Sequence, residues 1–295
     1  MKNIIAVLEQ MLPFMSPREK KIAGFILENQ QEVLSLTLKE ISIKTEVSEA
    51  TIIRFCRKIG CDGYAEFKIV LSASLSARME GEKTDPMFRS IQATDSPGTI
   101  LEKIGTLMIR SIESTMDVID KQQLEAAVKL IKNTHESKHR IYLCGSGAST
   151  GPLREMIIKF MRLNIPVVYH EDSHLQLESN LNMEEDDLLI CFTTLGRSVQ
   201  TNQSIDIANE KKAKIILITQ YGNVELEKKA TITLAVASLE DRRRLTSQTA
   251  LIVQSLIVHT LFMALALENL EELECKKDEK NAIFDKLGYI INDYA

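Results

Sequence analysis

The sequence predicts an all-α domain followed by an α/β domain, in which a five-stranded parallel sheet lies in an αβα sandwich. Up to about residue 135, apolar residues recur at helical spacing. From His139 onward, short β-branched runs alternate with helical stretches, which is typical of a parallel sheet covered on both faces. A chain of 295 residues is long enough to bury two such cores.

A polar stretch divides the two predicted domains. Residues 79–98 contain two prolines and two glycines, a composition that favours a linker. We therefore predict a helical domain at 1–78, a linker at 79–98, a connecting helical segment at 99–124, the α/β domain at 125–270 and a helical tail at 271–295.

The charge is unevenly distributed. Residues 1–78 hold 11 Lys+Arg and 9 Asp+Glu, whereas the remaining residues hold 25 and 32, so the net charge of −5 hides a mildly basic first domain. That domain is the one suited to a polyanionic partner. Five cysteines without a CxxC pair predict reduced thiols and no metal site, and no cofactor is expected. Amphipathic helix follows Met1 instead of an apolar leader, so we expect a cytoplasmic protein.

One stretch, residues 251–267, is apolar enough to be compared with a membrane span. It is interrupted by polar residues (Gln254, Ser255, His259 and Thr260), and it is shorter than the roughly 20 residues that a span needs. We predict a buried helix, with His259 as a core residue and no membrane association.

The first domain begins with two predicted helices. Residues 2–12 have helical apolar spacing, and Ser16, Pro17 and Glu19 form a capping box that should begin a helix ending near Glu28.

A helix-turn-helix pattern follows over residues 37–63. Thr37 and Glu40 form a second capping box, and residues 44–47 supply a tight turn. Ser48 should cap the helix 49–59, whose apolar stripe faces the core. In the helix before the turn, the predicted buried positions are Leu38, Ile41 and Ile43. A further helix should run from Gly63 to about Ala77.

Off its apolar stripe, helix 49–59 carries hydroxyl and basic side chains. A helix of this kind fits the DNA major groove, where residues near its start meet base edges and flanking cations meet phosphates. The candidate DNA-binding residues are Thr37, Ser48, Glu49, Thr51, Arg54, Arg57 and Lys58. The alternative is a structural helical bundle with a solvated polar face.

Five apolar runs predict the strands of the second domain: 141–144, 165–169, 188–192, 215–219 and 232–236. Ligands of such sheets bind beyond the carboxyl ends of the strands. Two of these ends carry glycines and hydroxyls before a helix, which suits a phosphate group. The candidate ligand-binding residues are Gly145, Ser146, Gly147, Ser149, Thr193, Thr194, Gly196, Arg197 and Ser198. An N-cap cluster without a ligand is the alternative, and a dinucleotide site is poorly matched.

A family resemblance combines these features. Residues 1–78, chiefly VSEATIIRFCRKIGCDGYAEFK, resemble the DNA-binding domain of the RpiR family of bacterial transcription regulators, and residues 125–270 resemble its sugar isomerase (SIS) domain. The resemblance implies a dimeric or tetrameric regulator of carbohydrate metabolism genes, which reads operator DNA and senses a phosphorylated sugar. It also implies a role for the loop before the last long helix, where Glu240 and Ser247 are candidates.

One departure concerns the family's Ser-x-Ser-Gly-x-Thr phosphate motif. Thr193 and Ser198 keep hydroxyls at the first and last positions, but Leu195 replaces the second serine. One lost hydrogen bond to a charged group costs roughly 1.5–3 kcal/mol. A purely structural SIS domain is therefore an alternative to a sensor.

A phosphosugar isomerase and a non-catalytic sugar-phosphate-binding protein are the rival functions. Isomerisation requires a positioned base, for which His170, Glu171 and His174 are available. An enzyme would leave the first domain without a purpose, so we expect a regulator and no catalysis. For the subunit interface, the candidates are the apolar helix near 249–267 and the helices around 99–131.

Overall fold

The computed structural model describes residues 4–81, 91–239, 247, 249–268 and 270–288. The amino-terminal domain contains α1 (Ile4–Met11), α2 (Pro17–Glu28), α3 (Gln30–Ser35), α4 (Leu38–Thr45), α5 (Glu49–Lys58) and α6 (Tyr64–Gly81). Both predicted capping boxes are confirmed, at Ser16 with Glu19 and at Thr37 with Glu40. The last of these helices extends beyond the predicted end near Ala77, into the segment that we expected to be a linker.

A single hydrophobic core holds these helices together. Its largest fully buried side chains come from α1, α2, α4, α5 and α6, and include Leu8, Ile22, Ile41, Phe55 and Phe67. The prediction that Ile43 is buried is wrong, because its side chain is 69% exposed. Two residues along a helix turn the side chain by about 200°, which places Ile43 opposite the buried Ile41.

The second domain has the predicted α/β architecture. Its helices are α7 (Pro97–Val118), α8 (Lys121–Glu136), α9 (Thr150–Arg162), α10 (Ser173–Asn180), α11 (Val199–Glu210), α12 (Val224–Glu227), α13 (Thr249–Leu267) and α14 (Leu270–Lys286). Its strands are β1 (Ile141–Gly145), β2 (Val167–Val168), β3 (Leu188–Phe192), β4 (Lys214–Gln220) and β5 (Ile232–Val236). The five strands are parallel in the order β2-β1-β3-β4-β5.

Alternate side chains of the strands build a core on each face of the sheet. Leu143 and Ile190 face α8, α9 and α13, whereas Cys144 and Cys191 face α11. The strand β2 is shorter than predicted. It lies at the edge of the sheet, and Pro166 beside it has no backbone N–H to donate to a ladder.

The helix α13 is long and apolar enough to cross a membrane by length and composition, and 44% of its most apolar part is buried. It packs against α9, α7 and α8 as a helix of the domain core. The prediction that His259 belongs to the core is wrong: the imidazole is exposed and lies 2.7 Å from the Glu155 carboxylate.

The two domains touch where α1 meets the carboxyl ends of β4 and β5. Tyr221, immediately after β4, packs against the core of the amino-terminal domain. The carboxyl ends of β4 and β5, which belong to the α/β domain, therefore contact the helical domain.

Candidate functional site

The turn between α4 and α5 is held tightly. Glu46 ends α4 in a left-handed conformation (φ 53°), and the Ser42 hydroxyl donates to the Val47 carbonyl at 2.7 Å. The Val47 side chain is buried between the helices. These contacts fix the direction in which α5 leaves the turn.

A row of exposed polar side chains begins at the amino terminus of α5. Ser48 occupies the N-cap position, as predicted, but its hydroxyl bonds to the Thr51 hydroxyl at 2.9 Å instead of a backbone amide. The Arg54 guanidinium donates to the same Thr51 hydroxyl at 3.3 Å. The three side chains therefore form a connected row, which we call the reading row.

The other predicted DNA-binding residues are engaged in local contacts. The Lys58 ammonium lies 2.9 Å from the Glu19 carboxylate, and Arg57 Nε donates to the Asp62 carbonyl at 3.3 Å. Thr37 bonds to Glu40 in its capping box, while Glu49 is exposed in the first turn of α5. Lys58 is thus partly neutralised, whereas Arg54 and Arg57 form no ion pair with a described residue.

The Glu19 carboxylate connects α2 to α5. Burial alone would raise its pKa, but hydrogen bonds from Lys58 and from Ser16 hold the pKa below its ordinary value. The carboxylate is therefore charged at neutral pH and fixes the last turn of α5 against the start of α2.

A cavity of about 200 Å³ lies at the carboxyl ends of β1 and β2. The residues that line it come from three loop-to-helix junctions, and most of them have polar side chains. The residues lining it include Gly145, Ser146, Gly147, Thr150, His170, Glu171, Ser173, Gln176, Gln200, Thr201 and Ser204. The helices α9 and α11 both begin beside it, and the positive ends of their helix dipoles favour an anion.

The first predicted loop lines this cavity. Gly147 has φ 59°, a conformation that favours glycine, and a Cβ on Gly145 would make tight contacts of 3.2 Å with Leu153 and Phe192. The Ser146 hydroxyl lies 3.5 Å from the Thr201 hydroxyl at the start of α11. Ser149 is buried at the N-cap of α9.

The second predicted loop is built differently. Thr193 and Thr194 are buried, and the Thr193 hydroxyl accepts the Gly196 amide at 3.1 Å, which holds the turn. Gly196 has φ 67°, and a Cβ there would lie 2.5 Å from Leu226 Cδ1. Ser198 caps α11 by accepting the Thr201 amide.

The candidates of the second loop are therefore divided. The Thr193 side chain supports the turn, and the backbone carbonyl of the buried Thr194 accepts from the Thr219 hydroxyl. Arg197 is exposed without an ion pair to a described residue. Ser198 connects to the cavity, because its hydroxyl accepts from Thr201 at 3.0 Å. Ser247 is buried, whereas Glu240 lies outside the described residues.

The loop after β2 supplies cavity residues that the sequence motifs did not identify. Gln176 accepts the His170 amide and donates to Asn180, which in turn donates to Ser204, each at 2.8 Å. This buried chain joins α10 to α11. The spacing of Gln176 and Asn180, four residues apart behind an Asp172 N-cap, was the available signal for one polar face. Within the described residues, no group of acidic, His and Cys side chains could hold a metal.

Both domains of the chain match known families. The family model described as "Helix-turn-helix domain, rpiR family" matches residues 2–78, and the SIS domain model matches residues 135–264. An uncharacterized HTH-type transcriptional regulator of Caldanaerobacter subterraneus subsp. tengcongensis is 32% identical over 266 residues, covering 90% of this chain and 91% of that protein. The bifunctional protein glk of Burkholderia thailandensis is 26% identical over 261 residues, covering 88% of this chain and 39% of that protein.

Solved structures share the fold. The Vibrio vulnificus NanR protein complexed with ManNAc-6P aligns with 98% of this chain and 100% of its own, with TM-score 0.58 and 21% identity. The sugar isomerase domain of an RpiR transcription factor from Sphaerobacter thermophilus covers 62% of this chain and 98% of its own, with TM-score 0.54 and 19% identity. The chain belongs to the RpiR family of transcriptional regulators, with an RpiR-type helix-turn-helix domain followed by a SIS domain.

Proposed function

We propose that this regulator reads operator DNA through the reading row of α5 and that a phosphorylated sugar bound in the strand-end cavity changes its DNA affinity. The observation that carries the DNA proposal is the exposed Ser48–Thr51–Arg54 row, at the end of the helix that enters the groove in helix-turn-helix proteins. A protein with this role acts in the cytoplasm and controls carbohydrate metabolism genes.

Physical chemistry assigns different roles within the row. An arginine can bond to both acceptors of a guanine edge, a contact that contributes about 1–3 kcal/mol of base discrimination. Thr51 holds the Arg54 guanidinium, so less side-chain entropy is lost when the contact forms. Arg57 lies farther along α5 and suits a phosphate contact that sets register.

The DNA proposal is tested by Arg54→Ala. An operator is first selected from random duplexes with the purified protein, and affinity is then measured by fluorescence anisotropy over a range of KCl concentrations. We expect about tenfold weaker binding to the selected operator, and relaxed preference at one base pair. Arg57→Ala should instead weaken binding to all sequences. It should also reduce the slope of the logarithm of the binding constant against the logarithm of the salt concentration by about 1.

The matched control is Lys229→Ala, which also removes one positive charge but lies between α12 and β5, paired with Asp206. Its DNA affinity should equal that of the wild type. Unchanged operator affinity in Arg54→Ala would contradict the proposed role of the reading row.

The ligand proposal rests on the chemistry of the cavity. Two helix amino termini, the Gly145–Gly147 backbone and the Ser146 hydroxyl offer donors to a phosphate, and His170, Glu171 and Gln200 offer polar groups to sugar hydroxyls. The same fold holds ManNAc-6P in the complex of NanR. This similarity supports a phosphorylated sugar as the effector class.

A thermal-shift panel of sugar phosphates, including ManNAc-6P, tests the ligand proposal. A ligand present at 100 times its Kd should stabilise the protein by roughly 2.7 kcal/mol, and the unphosphorylated sugars should not. Ser146→Ala should reduce the shift, whereas Ser35→Ala, a serine of α3 in the other domain, should leave it unchanged. No shift with any sugar phosphate would reject the sensor.

The same cavity raises the question of isomerase activity, because His170 and Glu171 line it. The Glu171 carboxylate forms an ion pair with Arg154 at 2.7 Å, an arrangement that suits a ligand-orienting role. We propose a non-catalytic role, as the named regulators among its relatives suggest. Incubation of each bound sugar phosphate in D₂O should give no deuterium exchange next to the carbonyl by NMR.

A further inference from the structure

A buried polar contact joins the DNA-binding domain to the end of the sheet. The Gln220 side-chain amide donates to the Gln10 backbone carbonyl at 3.2 Å and to Gln10 Oε1 at 3.1 Å. The Ser238 backbone amide donates to the same Gln10 Oε1 at 2.9 Å. All three residues are at most 4% exposed, so the contact is sealed from water.

The backbone around this contact is fitted closely. Gly222 follows β4 with φ 93°, and a Cβ there would lie 2.6 Å from Met11 Cγ and 3.2 Å from Met11 Cα. A larger residue would therefore push α1 away from the turn after β4. Tyr221 packs beside it against the core of the helical domain, and burial raises the pKa of its hydroxyl. The approach is specific to one arrangement of the two domains.

The contact is also connected to the second strand-end loop. The Gln220 backbone amide donates to the Thr194 carbonyl at 3.2 Å, and the Thr219 hydroxyl lies 3.4 Å from the same carbonyl. Gly196 lies close to Asn223 and Leu226, which follow β4, since a Cβ on it would lie 2.9 Å from Asn223 Nδ2 and 2.5 Å from Leu226 Cδ1. These contacts connect residues 193–198 to Gln220.

We propose that Gln10 is an interdomain lock, which holds α1 against the ends of β4 and β5, and that a ligand acting on residues 193–198 changes this lock through Gln220. The ligand step rests on the phosphosugar function proposed above, whereas the lock itself does not. In the locked arrangement Arg54 and Arg57 of α5 remain exposed. The lock therefore favours DNA binding by fixing the orientation of the reading row relative to the SIS domain.

The test compares full-length wild type with Gln10→Ala, Gln220→Ala and the double variant. Removing one side chain leaves buried donors or an acceptor without a partner, so the locked arrangement loses stability. Without any sugar phosphate, we expect each single variant to bind the selected operator about threefold to tenfold more weakly. The double variant should be no weaker than the single ones, because all three remove the same contact.

Two further measurements distinguish an interdomain lock that affects DNA binding from a contact that does not. Hydrogen exchange at the Ser238 amide should be faster in Gln10→Ala, since that amide loses its acceptor. With ManNAc-6P or another binder from the panel, the change in wild-type DNA affinity should shrink to less than about twofold in Gln10→Ala, below the usual allosteric range. The control Gln30→Ala removes an amide that bonds only to Leu27 within its own domain, and it should match the wild type.

Wild-type operator affinity in both single variants, or a full ligand response in Gln10→Ala, would overturn the lock. If Gln10→Ala does not fold, Gln220→Ala gives the same test from the other domain. If no sugar phosphate binds the wild type, the sensor proposal is wrong. The operator affinities of the variants and the hydrogen exchange of the Ser238 amide then still test whether Gln10 locks the two domains together.

Discussion

Leu195 is the residue at which the proposed phosphate loop lacks a hydroxyl. It precedes Gly196, whose positive φ and contact with Leu226 allow no side chain, so the turn cannot supply a donor at the glycine itself. A phosphate bound at this turn would therefore lack one hydroxyl donor.

Restoring the hydroxyl with Leu195→Ser should strengthen sugar-phosphate binding about tenfold, since a hydrogen bond to a charged group contributes roughly 1.5–3 kcal/mol. Isothermal titration with the best binder of the panel measures the change. Leu195→Ala is the control for the lost apolar side chain. Equal affinities in the two variants would place this position outside the ligand site.

Single residues also show where sequence patterns misled. The sequence predicts burial of His259 because it lies in an apolar stretch, and burial of Ile43 because it is an apolar residue of the helix before the turn. The structure exposes both, since a short helix buries one stripe and α13 buries only part of its surface. Composition of a stretch predicts that some residues are buried, but the neighbouring elements decide which.

At the scale of elements, the capping box of α2 also anchors α5. Glu19 accepts from Ser16 and from Lys58 of α5, so it stabilises two helices at once. Its folded-state pKa lies below the ordinary value of 4.5. The stabilisation is therefore present above the unfolded-state pKa and is lost as pH falls through the folded-state pKa.

Glu19→Gln should lower the free energy of unfolding at pH 7 by about 0.5–1 kcal/mol, because the ion pair with Lys58 and the capping carboxylate are lost together. The difference from wild type should disappear in strongly acidic solution, where Glu19 is protonated in both states. Urea unfolding at several pH values measures it. Glu28→Gln, at the exposed end of the same helix, should cost nothing at any pH.

Elements with strong local signals were predicted well. Runs of apolar residues located all five strands, and N-cap residues located the starts of α2, α4 and α5. The short helix α3 (QQEVLS) was not predicted, because its polar sequence has no apolar periodicity and it is stabilised by packing Val33 into the core. Tertiary contacts, and not the local sequence, therefore determine that α3 is helical.

At the scale of the whole molecule, a group of exposed apolar side chains remains on neighbouring helices of the SIS domain. They lie on α7, α9 and α13, and each is about half exposed or more: Leu101, Ile109, Met116, Ile158, Met161, Met263 and Leu267. Helix α13 packs directly on α7 and α9. We propose that this apolar face joins two copies of the chain, as the paired half-sites of helix-turn-helix operators require.

Met161→Glu and Leu267→Glu should shift the protein from dimer or tetramer toward monomer, because a charge would be buried in an apolar contact. Light scattering after size-exclusion chromatography gives the mass. Ile69→Glu adds the same charge at an exposed apolar residue of α6. A wild-type monomer, or oligomers that persist in both variants, would contradict this interface.

The cavity and the interdomain contact were the hardest features to predict at this scale. The two glycine-rich loops were visible as local motifs, but Gln176, Gln200 and Thr150 reach the cavity only because separate helices converge there. Gln10 carries no local signal of burial, because it is a polar residue in an amphipathic helix. Its burial depends on Gln220, which is 210 positions away.

That separation has a consequence for the newly made chain. Helix α1 is synthesised before β4 and β5, so Gln10 meets its partner Gln220 only after β4 has been synthesised. Until then the helical domain can fold around its own core, with Gln10 and Met11 exposed to water. The contact that fixes the helical domain against the SIS domain can therefore form only after β4 and β5 have been synthesised.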